Sequence, residues 1–369
     1  MVHFMIPKPA RVILVTLLGL LISLTLVTHS LAQTPVTTDK LPPPPPVPKL
    51  KPTPTPRPPR DDEIDIVRVT SNLVMVPVSV TDSSGEPMSG LTASDFRLEE
   101  QGRSQEIAQM GDPEQVPLDI ALLLDVSGSV EARFDFERES AARFLKQVLK
   151  AGDRAALYAI DQEPRFVQGL DTASRTTSRL MSVNSAKNAT AFYDTVIDAA
   201  RYLAQTAPVE HRRVILVISD GEDNFSETIK KAIGNTRELQ DAATPQERRW
   251  IYDRMVAETQ KELQKADVSF YSINPSGPGL RLNVISQRAQ DSMEQLATST
   301  GGSSFVPNKL EELDGVFRRI AAELRSQYLL QYYSKSEAPN GTYLTIGVTL
   351  PNRVDLKVRA RQGYYVKRK

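Results

Sequence analysis

The stretch Leu118-Asp-Ile-Ala-Leu-Leu-Leu-Asp125-Val-Ser127-Gly-Ser129 decides the fold of this chain. Its first seven residues are almost continuously apolar, which is typical of a parallel strand buried on both faces. The run ends in one carboxylate and two hydroxyls, and a glycine between the serines permits a tight bend. In doubly wound sheets, ligands bind beyond the carboxyl ends of such strands. The stretch therefore predicts both a central strand and the edge of a binding site.

A second apolar run has the same form. Val214–Ile218 stops at Ser219-Asp220-Gly221, so a second carboxylate follows a second buried strand. The chain around these runs alternates between strands and helices, which predicts an α/β fold with a doubly wound, mostly parallel sheet over residues 115–326. Further strands are predicted over residues 155–160 and 268–273. Helices are predicted over residues 130–149, 190–204, 240–266, 293–299 and 310–325.

The segments on either side of this core alternate with a period of two. One apolar stripe precedes the core, and two follow it: Val74, Val76, Val78 and Val80, then Leu344, Ile346, Val348 and Leu350, then Val354, Leu356 and Val358. Such alternation indicates antiparallel strands with one buried face. About three strands on each side make only a marginal core. We therefore expect residues 61–114 and 327–369 to pair into one small antiparallel β-sandwich, into which the α/β unit is inserted.

Three tyrosines fall in the second of these flanking segments. We expect Tyr328, Tyr332 and Tyr333 to pack inside the sandwich rather than to stack on a ligand.

The first sixty residues show neither pattern. Lys8 and Arg11 precede an uncharged run over residues 12–27, and Ser30-Leu-Ala32 offers small residues for cleavage, so residues 1–32 are predicted to be a signal peptide. An uncleaved membrane anchor is the alternative, and it would be the chain's one contact with a membrane. The prediction places the protein outside the cytoplasm, in the periplasm, the cell envelope or the extracellular space.

A proline-rich segment follows the predicted signal. Between residues 42 and 59, 11 of 18 residues are proline. Proline lacks a backbone donor and favours extended polyproline II, so residues 33–60 are predicted to be a linker. The linker is interpreted as a tether, with a recognition peptide for a proline-binding domain as the alternative.

Composition excludes several kinds of site. The 369 residues contain no cysteine, which rules out disulfides, thiolate metal sites and a cysteine nucleophile. Basic and acidic residues number 45 each, so no nucleic acid is expected as a partner. Beyond the linker, 38 basic and 44 acidic residues leave a net charge of −6.

The polar ends of the two apolar strands form an all-oxygen set. Asp125 and Asp220 supply carboxylates, and Ser127 and Ser129 supply hydroxyls. Mg²⁺ prefers oxygen ligands of this kind, and Mn²⁺ and Ca²⁺ are the alternatives. The set has no nitrogen or sulfur ligand to favour zinc or copper.

Three motifs in this region resemble the von Willebrand factor type A domain. Asp125-Val-Ser-Gly-Ser129 resembles the first motif of that domain's metal-ion-dependent adhesion site, and Ile218-Ser-Asp220-Gly-Glu-Asp-Asn224 resembles the third. Asn188-Ala-Thr190-Ala-Phe-Tyr-Asp194 resembles the second, although Asn188 and Ala189 replace two usual glycines. The resemblance covers about residues 115–325. It implies that Thr190 is a metal ligand together with Asp125, Ser127, Ser129 and Asp220.

The flanking segments narrow the resemblance. Val80-Thr-Asp-Ser-Ser-Gly-Glu-Pro87 before the core, and Val358-Arg-Ala-Arg-Gln-Gly-Tyr364 after it, are similar to exported "VWFA-related" proteins common in Acidobacteria. The resemblance implies an adhesion or assembly module that binds a protein partner, whose Asp or Glu side chain would reach the metal. The alternative is an envelope scaffold in which the ion only stabilises the fold.

No enzymatic activity is expected. After removal of the signal peptide, His211 is the one remaining histidine. It precedes the strand over residues 214–218, so we expect it in an exposed loop at the edge of the sheet opposite Asp125. There it is out of reach as a catalytic base for Ser127 or Ser129. Phosphatases that form an aspartyl-phosphate usually carry the pattern Asp-x-Asp. Ser127 replaces the second aspartate of that pattern here, which argues against this chemistry. No motif supports glycosidase chemistry. Glu222 and Asp223 are interpreted as exposed loop acids.

Overall fold

The computed structural model describes residues 72–367, apart from residues 187, 235–242 and 278–283. The predicted signal peptide and linker, residues 1–60, lie outside the described residues. Within the described part of the chain, no helix is both long and apolar enough to span a membrane.

The secondary structure elements are named in chain order. The strands are β1 (Asn72–Thr81), β2 (Arg97–Glu100), β3 (Arg103–Gln105), β4 (Gln109–Gly111), β5 (Leu118–Asp125), β6 (Arg154–Ile160), β7 (Pro164–Asp171), β8 (Arg212–Ile218), β9 (Val268–Ile273), β10 (Ser304–Phe305), β11 (Tyr328–Ser334), β12 (Tyr343–Thr349), β13 (Lys357–Ala360) and β14 (Gly363–Tyr365). The α-helices are α1 (Phe134–Val148), α2 (Ala173–Met181), α3 (Phe192–Thr206), α4 (Glu227–Ile233), α5 (Pro245–Ala266), α6 (Val284–Thr300) and α7 (Leu313–Ser326).

A six-stranded sheet forms the centre of the α/β unit. Its strand order is β10-β9-β8-β5-β6-β7, and all neighbours are parallel except the edge strand β7. Every residue of β5 and β8 is buried. Side chains of β5 alternate between two cores, one shared with α1, α2 and α7, the other with α3, α5 and α6. The predicted doubly wound, mostly parallel sheet is confirmed.

Helix boundaries differ from the prediction where the first turns are polar. Helix α6 begins at Val284 rather than Met293, because Ser286, Gln287 and Arg288 conceal its start from a search for apolar periodicity. Helix α5 begins at Pro245. Thr244 caps it, since the Thr244 hydroxyl accepts from the Glu247 N–H at 3.2 Å and Glu247 accepts in return from the Thr244 N–H at 2.8 Å.

Two antiparallel sheets flank the α/β unit. Their strand orders are β13-β1-β11-β4 and β14-β12-β2-β3, so each sheet combines strands from both sides of the inserted unit. The side chains between the sheets form one apolar core, which includes the predicted valine stripe of β1. This confirms the expectation that the two flanks pair with each other.

Two details of the sandwich were predicted wrongly. Tyr328 and Tyr332 are buried, but Tyr333 points away from the core and is 52% exposed. Val354 is 95% exposed, because the chain turns at residues 351–355 before β13 begins. The short strands of the first flank are divided between the sheets, since β2 pairs with β3 whereas β4 joins β11.

One buried carboxylate joins the α/β unit to the sandwich. Glu323 on α7 accepts hydrogen bonds of 2.9 Å from the hydroxyls of Ser79 on β1 and Tyr271 on β9. It also pairs with Arg359 on β13. These contacts connect both parts of the chain through one side chain.

Replacing Glu323 with alanine should destabilise the whole chain. The substitution leaves the Arg359 charge and two hydroxyls without their acceptor, which costs about 3–5 kcal/mol when a buried pair loses one partner. Urea denaturation would measure the loss in the free energy of unfolding. Glu139→Ala on the exposed side of α1 is the control and should change it little. A Glu323→Ala loss as small as that of the control would contradict the assignment.

Candidate metal centre

The first loop of the candidate centre is fixed around Asp125. This carboxylate is fully buried at the end of β5. One of its oxygens accepts from the Ser127 N–H at 2.9 Å, and the other accepts from the Ser219 hydroxyl at 2.6 Å. The Ser127 hydroxyl also hydrogen-bonds to it. Ser129 continues the loop within a 3₁₀ turn, Gly128–Val130; its side chain lies outside what the structure describes.

The second loop is tied to the third. The Thr190 N–H donates to the Asn224 side-chain oxygen at 2.8 Å, and the Thr190 carbonyl accepts from the N–H groups of Asn224 and Phe225 at 3.1 and 3.0 Å. Asn188, which stands in place of a glycine, donates from its amide to Asp161 after β6 at 2.8 Å. The unusual residue at this position therefore braces the Thr190 loop against the sheet.

Asp220 leads the third loop. In the parallel pairing of β5 with β8, Leu124 lies opposite Ile218, so the two aspartates follow neighbouring strands at one edge. Burial, and after it the negative charge of Asp220, raise the pKa of Asp125 to about 6, against the opposing effect of the Ser219 and Ser127 hydrogen bonds. The two carboxylates are thus close enough to repel each other.

The donor set fits a hard divalent cation. Two neighbouring carboxylates with hydroxyl oxygens around them suit Mg²⁺, because a cation removes the repulsion between the carboxylates. Across the described residues, no three or more His, Cys, Asp or Glu side chains are grouped so that they could hold a metal. The candidate centre therefore depends on its serines and threonine as well as on its acids, and their role as ligands stays a prediction.

Asp223 is a structural part of the third loop, and the expectation of an exposed loop acid was wrong for it. It is 1% exposed. It accepts from the N–H groups of Tyr193, Phe225 and Ser226 at 2.8, 3.1 and 2.9 Å, and from the Ser226 hydroxyl at 2.5 Å. The spacing Asp-x-x-Ser before α4 is the sequence signal that indicates such a cap.

Arg133 and Glu137 complete the surroundings of the centre, and sequence reasoning missed both. The Arg133 Nε donates to Glu137 Oε1 at 2.7 Å, and its Nη2 lies 3.9 Å from Asp220 Oδ2. The pKa of Glu137 is raised to about 8, mainly by burial; Arg133 opposes the increase, and the charges of Asp125 and Asp220 add to it. Glu137 Oε1 accepts the hydrogen bond in either protonation state.

His211 lies at the opposite edge of the sheet, as predicted, but it is not an exposed loop residue. Its side chain is 18% exposed, and its Nδ1 lies 2.9 Å from the Asp119 carboxylate. Asp119 also accepts two hydrogen bonds of 2.8 Å from Arg154. The histidine therefore belongs to a structural ion cluster at the start of β5 and β8.

A family model of the von Willebrand factor type A domain matches residues 119–319. No curated protein matches the chain. Among solved structures, the PilB minor pilin from Streptococcus sanguinis is 14% identical at a TM-score of 0.44, over 61% of this chain and 64% of the pilin. The vWF domain of the type V pili tip protein Mfa5 from Porphyromonas gingivalis is 15% identical at 0.41, over 56% of this chain and 94% of that domain.

A third similar structure is proximal thread matrix protein 1 from the mussel byssus, described with a zinc-occupied MIDAS motif. It is 14% identical at a TM-score of 0.42, over 62% of this chain and 50% of that one. The chain thus spans 64% of the pilin and half of the byssus protein.

Asp125→Asn should stabilise the metal-free protein at neutral pH. The pKa of the folded carboxyl, about 6, lies above the ordinary 3.8, so ionisation costs stability as the pH rises from about 4 to about 6. In EDTA at pH 7, the variant should gain about 1–2 kcal/mol in the free energy of unfolding, and the gain should vanish near pH 4. Thermal and urea unfolding across this range would measure the difference.

The control for this pH series is Asp355→Asn. Asp355 is exposed and its pKa is lowered by Arg353, so its replacement should not stabilise the protein at neutral pH. An Asp125→Asn variant that loses stability equally at all pH values would contradict the repulsion between the two carboxylates.

Asp223→Asn should have the opposite effect at pH 7. Burial raises the pKa of Asp223 to about 6 as well, so an amide removes a similar cost of ionisation, but the two oxygens of Asp223 accept four hydrogen bonds. An amide keeps one acceptor oxygen and turns an N–H₂ group toward the other donors, which costs about 1–3 kcal/mol for each buried donor left without an acceptor and outweighs that gain. Because Asp223 holds the loop that carries Asp220, Mn²⁺ affinity should also fall about 10–100-fold. Calorimetric titration with Mn²⁺ would test this, and unchanged affinity would show that the loop keeps its shape without the carboxylate.

Proposed function

Because this chain belongs to the von Willebrand factor type A family, we propose that it is an exported, metal-dependent module that binds a protein partner in adhesion or assembly. Members of the family generally bind proteins and commonly hold a divalent cation at this position. The observation that carries the proposal is the pair of mutually repelling carboxylates, Asp125 and Asp220, at the ends of neighbouring strands.

Five side chains would hold the cation, which is Mg²⁺ with Mn²⁺ and Ca²⁺ as alternatives. They are Asp125, Ser127, Ser129, Thr190 and Asp220. When bound, the cation supplies a Lewis-acidic position for an oxygen of the partner's Asp or Glu. Asp220 is 14% exposed, which supports access for a partner from solvent at the rim, whereas Asp125 is fully buried beneath it.

The same observations support a binding role over an enzymatic one. His211 is held by Asp119 at the far edge of the sheet and is out of reach as a base for the serines of the first loop. The Asp125 carboxylate is held in place by the Ser127 N–H and the Ser219 hydroxyl, which favours holding an ion over transferring a proton. Export is proposed from the predicted signal peptide.

Asp125→Ala should abolish metal-dependent binding while the fold persists. Removal of a ligand carboxylate should weaken Mg²⁺ or Mn²⁺ binding at least about 100-fold, as judged by calorimetric titration. Partner capture from the envelope fraction in Mg²⁺ should fall to the level seen in EDTA. Asp253→Ala, which removes an exposed carboxylate from α5, is the matched control and should behave like the wild type.

The scaffold alternative predicts a different result for the wild type. A purely structural ion would raise the melting temperature of the protein, as any ligand of the native state does, without changing partner capture. Partner capture that is equal in Mg²⁺ and EDTA would therefore reject the adhesion proposal in favour of the scaffold.

A further inference from the structure

We propose that Arg133 is a second anion-binding residue of this centre, which holds one oxygen of the carboxylate whose other oxygen the metal takes. The inference rests on the proposed function and deepens it, because it assigns a residue of this chain to the second oxygen of the partner's carboxylate. It also assigns a role to Glu137, which positions the arginine.

The guanidinium of Arg133 is held by residues outside the predicted ligand set. Its Nε donates to Glu137 at 2.7 Å, and its Nη2 donates to Ser276, in the loop after β9, at 2.8 Å. Glu137 is fully buried, and its second oxygen has no hydrogen-bond partner among the described residues. A buried carboxylate is costly, so its use here indicates that the position of the arginine matters.

Part of the guanidinium remains open to solvent beside Asp220. Arg133 has five N–H donors, and the hydrogen bonds to Glu137 and Ser276 use two of them. Its side chain is 22% exposed, and its separation of 3.9 Å from Asp220 exceeds a hydrogen bond. The arginine is therefore fixed at the rim of the candidate centre, with donors that Asp220 does not occupy.

This arrangement matches a carboxylate better than other ligands. The planar guanidinium presents paired N–H groups in a fixed fork, and charge-assisted bonds to a carboxylate are about twice as strong as neutral ones. An amide or hydroxyl of the partner carries no negative charge to pair with the guanidinium. If Arg133 served only to balance the charge of Asp220, a direct hydrogen bond between them would serve better than bonds to Glu137 and Ser276.

The experiment uses the full chain loaded with Mn²⁺, and acetate as the probe. Paramagnetic relaxation of the acetate methyl protons reports acetate near the ion even when binding is weak, and acetamide is the neutral comparison. Mn²⁺ affinity is measured separately by electron paramagnetic resonance. Four variants are compared with the wild type: Arg133→Gln, Arg133→Lys, Glu137→Ala and Arg143→Gln. The last removes an exposed arginine from α1, the helix that begins directly after Arg133, and is matched in charge.

Arg133→Gln should weaken acetate binding about tenfold while Mn²⁺ affinity stays equal or rises, because a nearby positive charge is removed. Arg133→Lys should fall between this variant and the wild type, and Arg143→Gln should match the wild type. Glu137→Ala, which removes the acceptor of the Arg133 Nε, should lower acetate affinity in the same direction by loosening the arginine. Acetamide should show little relaxation with any of the proteins.

Three outcomes would overturn the proposal. Acetate that binds Arg133→Gln as it binds the wild type removes the anion-binding role. A parallel loss of Mn²⁺ and acetate affinity assigns Arg133 to the structure of the loops instead. A wild type that does not bind Mn²⁺ rejects the metal centre itself, so failure of the proposed function is distinguishable from failure of this inference.

Discussion

The repulsion between Asp125 and Asp220 is the constraint around which the α/β unit is organised. Parallel pairing of β5 with β8 brings the two carboxylates to one edge, and burial deprives Asp125 of water. Without other contacts, the repulsion between the two carboxylates would push their loops apart. Hydrogen bonds from Ser127 and Ser219 hold one carboxylate, and Arg133 lies beside the other. The fold thus concentrates negative charge at this edge, which protonation can relieve and which a cation at the proposed centre would relieve.

The loops that bear this charge are braced by residues outside the proposed ligand set. Asp223 gathers the N–H groups at the start of α4, and Asn224 joins the second loop to the third. Asn188 reaches across to Asp161. Because Asn224 and Asn188 connect segments that are distant in sequence, the geometry at the edge of the sheet is set before any ligand arrives.

Sequence alone predicted the parts of this structure that depend on apolar pattern. Continuous runs identified β5 and β8, and alternation with two thin flanks indicated a shared sandwich. The sequence did not reveal that Arg133 and Glu137 lie beside the candidate centre. An arginine and a glutamate four residues apart form the same pattern on an exposed helix as on a buried one. The burial of Asp223 was concealed for a similar reason, because it arises only when its loop closes on Tyr193. Tyr333 and Val354 were expected to be buried and are exposed. An alternating pattern does not reveal where a strand begins or which of its faces turns outward.

Each flanking sheet combines strands from both sides of the inserted α/β unit, and this affects the order in which the chain can fold. Val78 pairs with Tyr328, so the first strand of the sandwich waits for a partner that is synthesised about 250 residues later. The α/β unit between them can form its local contacts first, whereas β1 and the outer edge of the β2–β3 hairpin remain unpaired until β11–β14 emerge. Completion of the sandwich is therefore a late step in folding, and a nascent or truncated chain exposes strand edges that invite aggregation. The segment from β11 to β14 contributes two strands to each sheet, so both sheets depend on it.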